Sequence, residues 1–223
     1  MSRKGNLTVA IQAGGDALVD ERFLDGTLLD RAITRLSGVA DEMIVTTNKA
    51  DRVEVNREGV RVVVDDMEKK AEARYKGNNL EGIRTALSAA GNEYVAIIAG
   101  DMPFPSAPIV GYELKLIKKT GVDLVVPHTR HGLEPFCAVY RRSTCLPAVE
   151  EALAQGARCC TTLAKHVRTI EFNEEQALSV DPRGGCFATL DTPRAVRRME
   201  QRIKKGLMEK KGEFPSEKAA ACA

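Results

Sequence analysis

The alternation of short apolar runs with segments of helical periodicity is the feature that most constrains the fold. Five of these runs have the length and the branched, apolar composition of buried strands. Strands that alternate with helices predict right-handed crossovers and a mostly parallel sheet covered on both faces. We therefore predict an α/β fold, a three-layer sandwich around a mostly parallel, doubly wound sheet. The five predicted strands are 7–12, 43–47, 60–64, 94–99 and 122–126.

The remaining elements follow from the same periodicity. The run 94–99 is the most apolar, so we place it at the centre of the sheet. The residues after Gly206 are charged and then alanine-rich, with no apolar face, so we expect a domain at 1–205 and a disordered tail at 206–223. Further strands are predicted at 135–140, which need not be parallel, at 167–172 and at 186–190, and helices at 27–36, 80–90, 105–119, 146–154, 161–166 and 193–205.

Charge and cysteine content bear on location and on macromolecular partners. The formal net charge of +2 does not indicate a nucleic-acid-binding protein, and no apolar run is long enough for a membrane-spanning helix. The first residues show no signal-peptide pattern. The six cysteines form no Cys-x-x-Cys pair and lack zinc-site spacing, so we expect most of them to be reduced, buried thiols. These features predict a cytoplasmic protein that binds neither nucleic acid nor membrane.

The predicted topology indicates where the chemistry should lie. Open α/β sheets bind ligands at the carboxyl ends of their strands, so polar residues directly after strands are the candidates. The pair Gly14-Gly15 either lets the backbone approach a nucleotide or forms an ordinary tight turn. Asp101 either holds a hard cation that bridges phosphate oxygens or serves helix entry. The full set is Gly14, Gly15, Asn48, Asp65, Asp66, Asp101 and the segment 189–192.

Six short motifs follow one another in an order that is similar to a known family. The order resembles that of the MobA-like family, which includes the molybdenum cofactor guanylyltransferases, and it extends from about Leu7 to Arg202. The motifs are Ala-Gly-Gly at 13–15, Val-x-x-Asn at 45–48, Gly-x-x-Leu-x-Gly-Ile at 77–83, Gly-Asp-Met-Pro-Phe at 100–104, Leu-Glu-Pro-Phe-x-Ala-Val-Tyr-Arg at 133–141 and Leu-Asp-Thr-Pro at 190–193.

The resemblance implies both a fold and an activity. It implies a Rossmann-like fold of the nucleotide-diphospho-sugar transferase type over residues 1–205. The implied reaction transfers GMP from GTP to molybdopterin with Mg²⁺. The implied partners are a nucleoside triphosphate and molybdopterin, with molybdoenzymes or cofactor-insertion proteins as candidate protein partners. The alternatives are a catalytically weak or inactive paralogue that still binds nucleotide or molybdopterin, and a cytidylyltransferase or sugar-phosphate nucleotidyltransferase of the same fold.

The resemblance also implies nucleotide-binding residues. Ala13, Gly14 and Gly15 match the family loop that wraps the base and the phosphates. Asn48 matches a polar residue near the nucleoside, and Asp65, or Asp66 in the other register, matches an acidic nucleoside contact. The base-pocket segment of the family matches Gly77, Asn78, Leu80 and Gly82, with Asn79 in place of the family's proline.

The metal and acceptor sides are implied in the same way. Asp101 matches the family's magnesium aspartate and is our candidate catalytic residue. Asp191 is the candidate second metal ligand, and Thr189 occupies the other polar position of that motif. On the pterin side the matching residues are Glu134, Pro135 and Phe136.

The loop after the glycines departs from the family pattern. Family members continue with Arg-Met-Gly and then Asp-Lys, which supply an arginine and a lysine to the phosphates. Here the loop is several residues shorter, and Arg22 is its only cation beside Asp16, Asp20, Glu21 and Asp25. We therefore include Arg22 among the nucleotide-binding residues and expect weak triphosphate binding. Arg31 is the nearest substitute in sequence, and we expect its helical position to direct it to solvent.

Overall fold

The structure, a computed structural model, describes residues 6–15, 17–49, 53–55, 57–65 and 79–205. Four predictions concern residues outside these ranges. They are the tail at 206–223, the base-pocket residues Gly77 and Asn78, the alternative nucleoside contact Asp66 and the acidic loop residue Asp16.

The described strands are of two kinds, long ones that build the main sheet and pairs of residues that form short hairpins. The strands are β1 (Leu7–Gln12), β2 (Arg22–Phe23), β3 (Gly26–Thr27), β4 (Glu42–Thr47), β5 (Val60–Val64), β6 (Tyr94–Ala99), β7 (Leu124–Thr129), β8 (Gly132–Leu133), β9 (Cys137–Arg141) and β10 (Thr169–Asn173).

The described helices fall close to the predicted segments, with one addition described below. They are α1 (Leu28–Leu36), α2 (Asn79–Ala89), α3 (Ala107–Thr120), α4 (Arg142–Ala154), α5 (Glu174–Val180) and α6 (Pro193–Lys204), with a 3₁₀ helix at Cys160–Lys165. Within the described ranges, no helix combines the length and the apolar character that crossing a bilayer requires.

The main sheet is mostly parallel, as predicted. Its order is β10-β7-β9-β6-β1-β4-β5, with β8 beside β7, so that β6 lies at the centre. Strand β1 pairs in parallel with both β6 and β4, while β9 runs antiparallel between β6 and β7. The central position of 94–99 is confirmed, and so is the expectation that the strand at 135–140 need not be parallel.

Helices cover both faces of the sheet and complete the three-layer sandwich. Helix α1 buries Leu29, Ile33 and Leu36 against the same face of the sheet as α3, whereas α2 and α4 pack against the other face of the sheet. The apolar residues of α1 recur at three- and four-residue spacing, which gives it one buried stripe. Each fully buried leucine or isoleucine stabilises the fold by roughly 1.5–3 kcal/mol.

The predicted strand at 186–190 is wrong, because this segment consists of turns and extended chain outside the sheet. Gly184 and Gly185 have φ angles of 68° and 76°, which turn the chain away from a strand path. Leu190 then donates its backbone N–H to the carbonyl oxygen of Asp101 at 3.0 Å and not to a neighbouring strand. This hydrogen bond therefore attaches the segment to the sheet edge at Asp101.

Helix α5 was not predicted, although a local signal for it exists. Asn173 accepts a hydrogen bond from Gln176 N, and the Gln176 side chain accepts one from Asn173 N, which is a reciprocal capping box. The helix is short and buries only Ala177 among its residues. The apolar periodicity therefore gave no sign of a helix here, and only the cap did.

The expectation of reduced, buried thiols is confirmed for four cysteines. Cys137, Cys145, Cys160 and Cys186 are free and buried. Burial raises the pKa of Cys145 and of Cys186 to about 12. These two thiols are therefore protonated near neutral pH and are not nucleophiles.

Candidate active site

The carboxyl ends of four parallel strands meet at one edge of the sheet. In the register of the sheet, Gln12 lies opposite Ala99 on one side and Thr46 on the other, and Thr47 lies opposite Val64. The residues that follow these strands therefore emerge side by side. The structure brings together Gly14, Gly15, Asn48, Asp65 and Asp101 at this edge.

The glycine loop is fixed by Asn48. Gly15 has a φ angle of 65° and donates its N–H to Asn48 Oδ1 at 2.8 Å. A Cβ atom on Gly14 would lie 3.1 Å from the same oxygen, so the close approach favours glycine there as well. Ala13 is buried, and its N–H donates to Thr46 O at 2.8 Å. The side chain of Asn48 thus shapes the loop in this structure, and the Gly15 N–H is engaged by it.

Asp101 is held from two sides. Gly100 precedes it and donates its N–H to Gln12 O at 2.8 Å, which anchors the end of β6 to the end of β1. The Asp101 carbonyl accepts the hydrogen bond from Leu190, the residue before Asp191. The Asp101 side chain is buried, whereas Asp191 is exposed. The backbone therefore joins the segments of the two predicted metal ligands at the sheet edge.

The donor set at this edge fits a cation that arrives with a phosphate ligand. Mg²⁺ is commonly held by one or two carboxylates together with substrate phosphates and water. Among the described residues, no group of three or more His, Cys, Asp or Glu side chains could hold a metal ion by itself. Asp101, with Asp191 on the adjoining segment, could supply carboxylate oxygens to such a cation.

Asp65 is connected to α2. Its backbone N–H donates to Thr47 O at 2.7 Å, and its carboxylate accepts a hydrogen bond from Thr85 Oγ1 at 2.8 Å. Arg84 Nη2 lies 3.9 Å from the other carboxylate oxygen. The predicted nucleoside contact is therefore positioned by two residues of one helix.

Gln12 lies at the site, although the sequence pattern did not predict it. Its Nε2 donates to Gly82 O at 2.6 Å, and a Cβ atom on Gly82 would lie 3.0 Å from Gln12 Oε1. This contact fixes α2 against the end of β1 and explains the glycine at position 82. The available signal was a single amide side chain at the end of an otherwise apolar strand.

Leu80 lies within the core. Its side chain is fully buried among residues of α2, α4 and the sheet, and its N–H donates to Arg158 O at 3.2 Å. The side chain has no exposed surface to offer a ligand in this structure. Leu80 therefore anchors the start of α2 in the core and does not present its side chain to a ligand.

Of the three pterin-side residues, Glu134 lines a small cavity, and Pro135 and Phe136 follow it in the chain. Thr129 Oγ1 donates to Glu134 Oε1 at 3.0 Å, and Glu134 lines a cavity of about 90 Å³ together with Phe187. Pro135 O accepts the Tyr140 hydroxyl at 2.6 Å, and Phe136 O accepts Ala99 N at 2.9 Å. This segment is therefore tied to the end of β6, one residue before Gly100.

The shortened loop forms a small antiparallel hairpin, β2–β3, that was not predicted. Phe23 is fully buried in this hairpin and packs edge-on against Phe104, with the ring centroids 5.9 Å apart. Leu24 has a φ angle of 59°, and its N–H donates to the carboxylate of Glu200 on α6. Arg22 is exposed on β2. The loop is thus an ordered structure that α6 holds from outside.

Arg31 does not point to solvent, and that prediction is wrong. Its side chain is only 17% exposed, and its Nη1 lies 3.0 Å from Asp25 Oδ1. The guanidinium carbon lies 5.2 Å from the centre of the Phe23 ring, and Nε donates to Pro103 O at 3.4 Å. Stacking on an aromatic ring and an ion pair together draw the side chain inward. Arg31 therefore joins the hairpin to the segment after Asp101.

Comparison with known proteins agrees with this arrangement. The MobA-like NTP transferase domain matches residues 20–169. The molybdenum cofactor guanylyltransferase of Desulfosudis oleivorans is 32% identical over 187 residues, which cover 83% of this chain and 87% of the relative. A probable molybdenum cofactor guanylyltransferase of Natranaerobius thermophilus is 25% identical over 194 residues, 84% of this chain and 92% of the relative.

A solved structure supports the fold in the same way. The crystal structure of molybdopterin-guanine dinucleotide biosynthesis protein A from Archaeoglobus fulgidus superposes with a TM-score of 0.72 at 21% identity. The match covers 89% of this chain and 99% of that one. Fold, motif order and relatives agree, and the chain belongs to the MobA-like NTP transferase family and is a nucleotidyltransferase.

Proposed function

We propose that this protein transfers GMP from GTP to molybdopterin, with Mg²⁺ as the cofactor. The observation that carries the proposal is the buried Asp101 at the carboxyl end of the central strand, beside the Gly14–Gly15 loop. Relatives that cover most of the chain are named molybdenum cofactor guanylyltransferases, which supports this choice of nucleotide and acceptor. In the proposed reaction a phosphate oxygen of molybdopterin attacks the α-phosphorus of GTP and expels pyrophosphate.

The residues of the chain contribute mainly by positioning. The Gly14–Gly15 backbone would lie against the nucleotide, and Asp65 would bind the nucleoside from the adjoining strand end. Glu134 and the cavity beside it would bind the pterin side of the acceptor. Bound Mg²⁺, held by Asp101 and Asp191, would neutralise phosphate charge. In-line transfer depends largely on such alignment and charge stabilisation.

Asp101→Asn should weaken magnesium-dependent GTP binding by roughly tenfold or more, which corresponds to about 1.4 kcal/mol. Asparagine keeps the shape of the side chain but removes the negative charge that would hold the cation. The melting temperature should stay within a few degrees of the native value or rise, because a carboxylate placed for a cation does not stabilise the folded protein when the cation is absent. Calorimetric titration with GTP, with and without Mg²⁺, measures the effect.

Glu150→Gln, an exposed position on α4, is the matched control and should bind GTP as the native chain does. A stable Asp101→Asn protein with native magnesium-dependent affinity would show that Asp101 does not hold the cation. Loss of folding without any change in GTP affinity would show that the residue is structural.

The cation-poor hairpin is the reason to expect slow transfer. Of the charged residues at 17–27, Arg22 is the only cation, and Asp20, Glu21 and Asp25 oppose it. Arg31 forms an ion pair with Asp25, and Asp20 and Glu21 place two more carboxylates on the loop that the family uses for phosphates. Two unit charges about 4 Å apart interact by about 4 kcal/mol near a protein surface. Even one well-screened repulsion of about 1.4 kcal/mol lowers a rate or an affinity tenfold.

Grafting the longer family loop, with its arginine and lysine, in place of residues 16–25 should raise GTP affinity and turnover by roughly tenfold or more. A graft of the same length with glutamine at the two basic positions separates charge from length. Equal behaviour of the charged and neutral grafts, or native turnover at roughly 1 per second or faster, would contradict this account of the loop.

A further inference from the structure

A polar pocket on the outer face of α1 is not explained by the proposed reaction. It has a volume of about 330 Å³, and its lining consists of the arginines Arg31, Arg35 and Arg57, the carboxylates Asp25 and Asp30, and Gly26 and Thr34. The volume corresponds to about ten water molecules, which is enough for a small hydrated anion. Thr34, Arg35 and Arg57 belong to none of the predicted nucleotide, metal or pterin sets, and Arg31 was considered only as a substitute for the missing cations of the phosphate loop.

The arginines are brought together against their mutual repulsion. Arg31 and Arg35 lie one helical turn apart, a spacing at which like charges destabilise a helix. Arg57 reaches the same face, since its Nη2 donates to Thr34 Oγ1 at 2.7 Å. Burial, and then the neighbouring guanidinium groups of Arg183 and Arg31, lower the pKa of Arg35. The positive charge is therefore concentrated on a partly buried surface.

The two carboxylates at the pocket already have hydrogen-bonding partners within the protein. Asp25 Oδ1 pairs with Arg31, and Asp30 Oδ2 accepts hydrogen bonds from the backbone and hydroxyl of Thr27 at the start of α1. Within the described ranges, no carboxylate forms an ion pair with Arg35 or with Arg57. Arg35 donates through Nε to Pro105 O at 2.8 Å, and its two terminal nitrogens form no hydrogen bond to the described residues.

We propose that this pocket binds a phosphate-type oxyanion through the guanidinium groups of Arg35 and Arg57. Planar guanidinium groups bind phosphate oxygens in pairs, and an anion would relieve the repulsion between the neighbouring arginines. The pocket also adjoins the site. Arg31 and Arg35 hold the carbonyls of Pro103 and Pro105, in the segment directly after Asp101. A bound anion would fix these two side chains and thereby stiffen that segment.

Calorimetric titration of the full chain with inorganic phosphate, at constant ionic strength, tests the proposal. The native protein should bind phosphate, and both Arg35→Gln and Arg57→Gln should raise the Kd roughly tenfold or more, as expected for loss of one charged hydrogen-bonding partner. Arg197→Gln, an exposed arginine on α6, is the matched control and should leave the Kd unchanged. Arg57 is exposed, so its variant tests the pocket even if Arg35→Gln folds poorly.

Two further ligands distinguish the source of the phosphate group. If pyrophosphate affinity falls in both variants and magnesium–GTP affinity does not, the pocket binds a free anion separate from the nucleotide. If magnesium–GTP affinity falls as well in Arg57→Gln, which does not contact the segment after Asp101, the pocket binds a phosphate of the nucleotide itself. Absence of phosphate binding by the native protein, or a Kd that is the same in Arg57→Gln and Arg197→Gln, would overturn the proposal. The phosphate titration does not depend on transfer activity, so the anion-pocket proposal and the proposed function can fail independently of each other.

Discussion

Replacing Gly100 with alanine should destabilise the protein and disturb the candidate site together. A Cβ atom at Gly100 would lie 2.6 Å from Val19 Cγ1 and 2.8 Å from the backbone oxygen of Gln12. The valine can rotate, but the Gln12 carbonyl belongs to β1 and accepts the hydrogen bond from Gly100. The added methyl group must therefore push the ends of β1 and β6 apart. Overpacking of this kind typically costs about 1–3 kcal/mol.

The loss of stability should lower the melting temperature by about 2–4 °C for each kcal/mol. GTP binding should weaken as well, because Asp101 directly follows Gly100 in the chain. Gly111→Ala is the matched control. Gly111 lies within α3, where a Cβ atom would meet nothing within 4 Å, so alanine should stabilise that helix by about 0.5–1 kcal/mol. Similar melting temperatures for the two variants would show that the ends of β1 and β6 do not require glycine.

Replacing Glu113 with methionine should raise stability near neutral pH by roughly 1–3 kcal/mol. Glu113 lies on α3 and is fully buried, and within the described structure neither carboxyl oxygen has a hydrogen-bond partner. Burial raises the pKa of this carboxyl well above its ordinary value of 4.5. Methionine is similar in length and has no polar group to desolvate. Thermal and urea unfolding at several pH values measure the difference.

The pH dependence should identify the cause. Above pH 4.5 the unfolded chain releases the Glu113 proton while the folded protein retains it. The stability due to this group is therefore complete below pH 4.5 and declines as the pH rises towards the raised folded-state pKa. The decline is up to about 1.4 kcal/mol for each pH unit. Glu113→Gln should lose this dependence but gain less stability, because its amide remains buried. A methionine variant less stable than the native protein at neutral pH would contradict this explanation.

The sheet could be predicted from the sequence because buried parallel strands carry a strong local signal. The run 94–99 is apolar throughout, and its central place follows from that composition alone. Hydrophobic periodicity failed where burial is slight. Helix α5 buries a single residue. The segment 186–190 does not pair in the sheet, and its apolar residues pack elsewhere, Cys186 in the core beside α3 and Leu190 against α6.

The candidate site could be predicted at the level of the sheet edge but not of individual contacts. The rule for open sheets placed Gly15, Asn48 and Asp101 after strands that end together, and the register agrees. The rule could not show that Asn48 bonds Gly15, since that contact spans 33 residues. It also could not show that Arg31 turns back over Phe23, because helical position gives the direction of the Cα–Cβ bond and not the partners of a long side chain.

The assignment of a guanylyltransferase can be measured as magnesium-dependent release of pyrophosphate in the presence of molybdopterin, compared among GTP, CTP, ATP and UTP. We expect slow release from GTP, below roughly 1 per second, with slower release from the other three nucleotides and loss of the GTP signal in Asp101→Asn. Release from CTP or another nucleotide in preference to GTP would contradict the assignment of a guanylyltransferase.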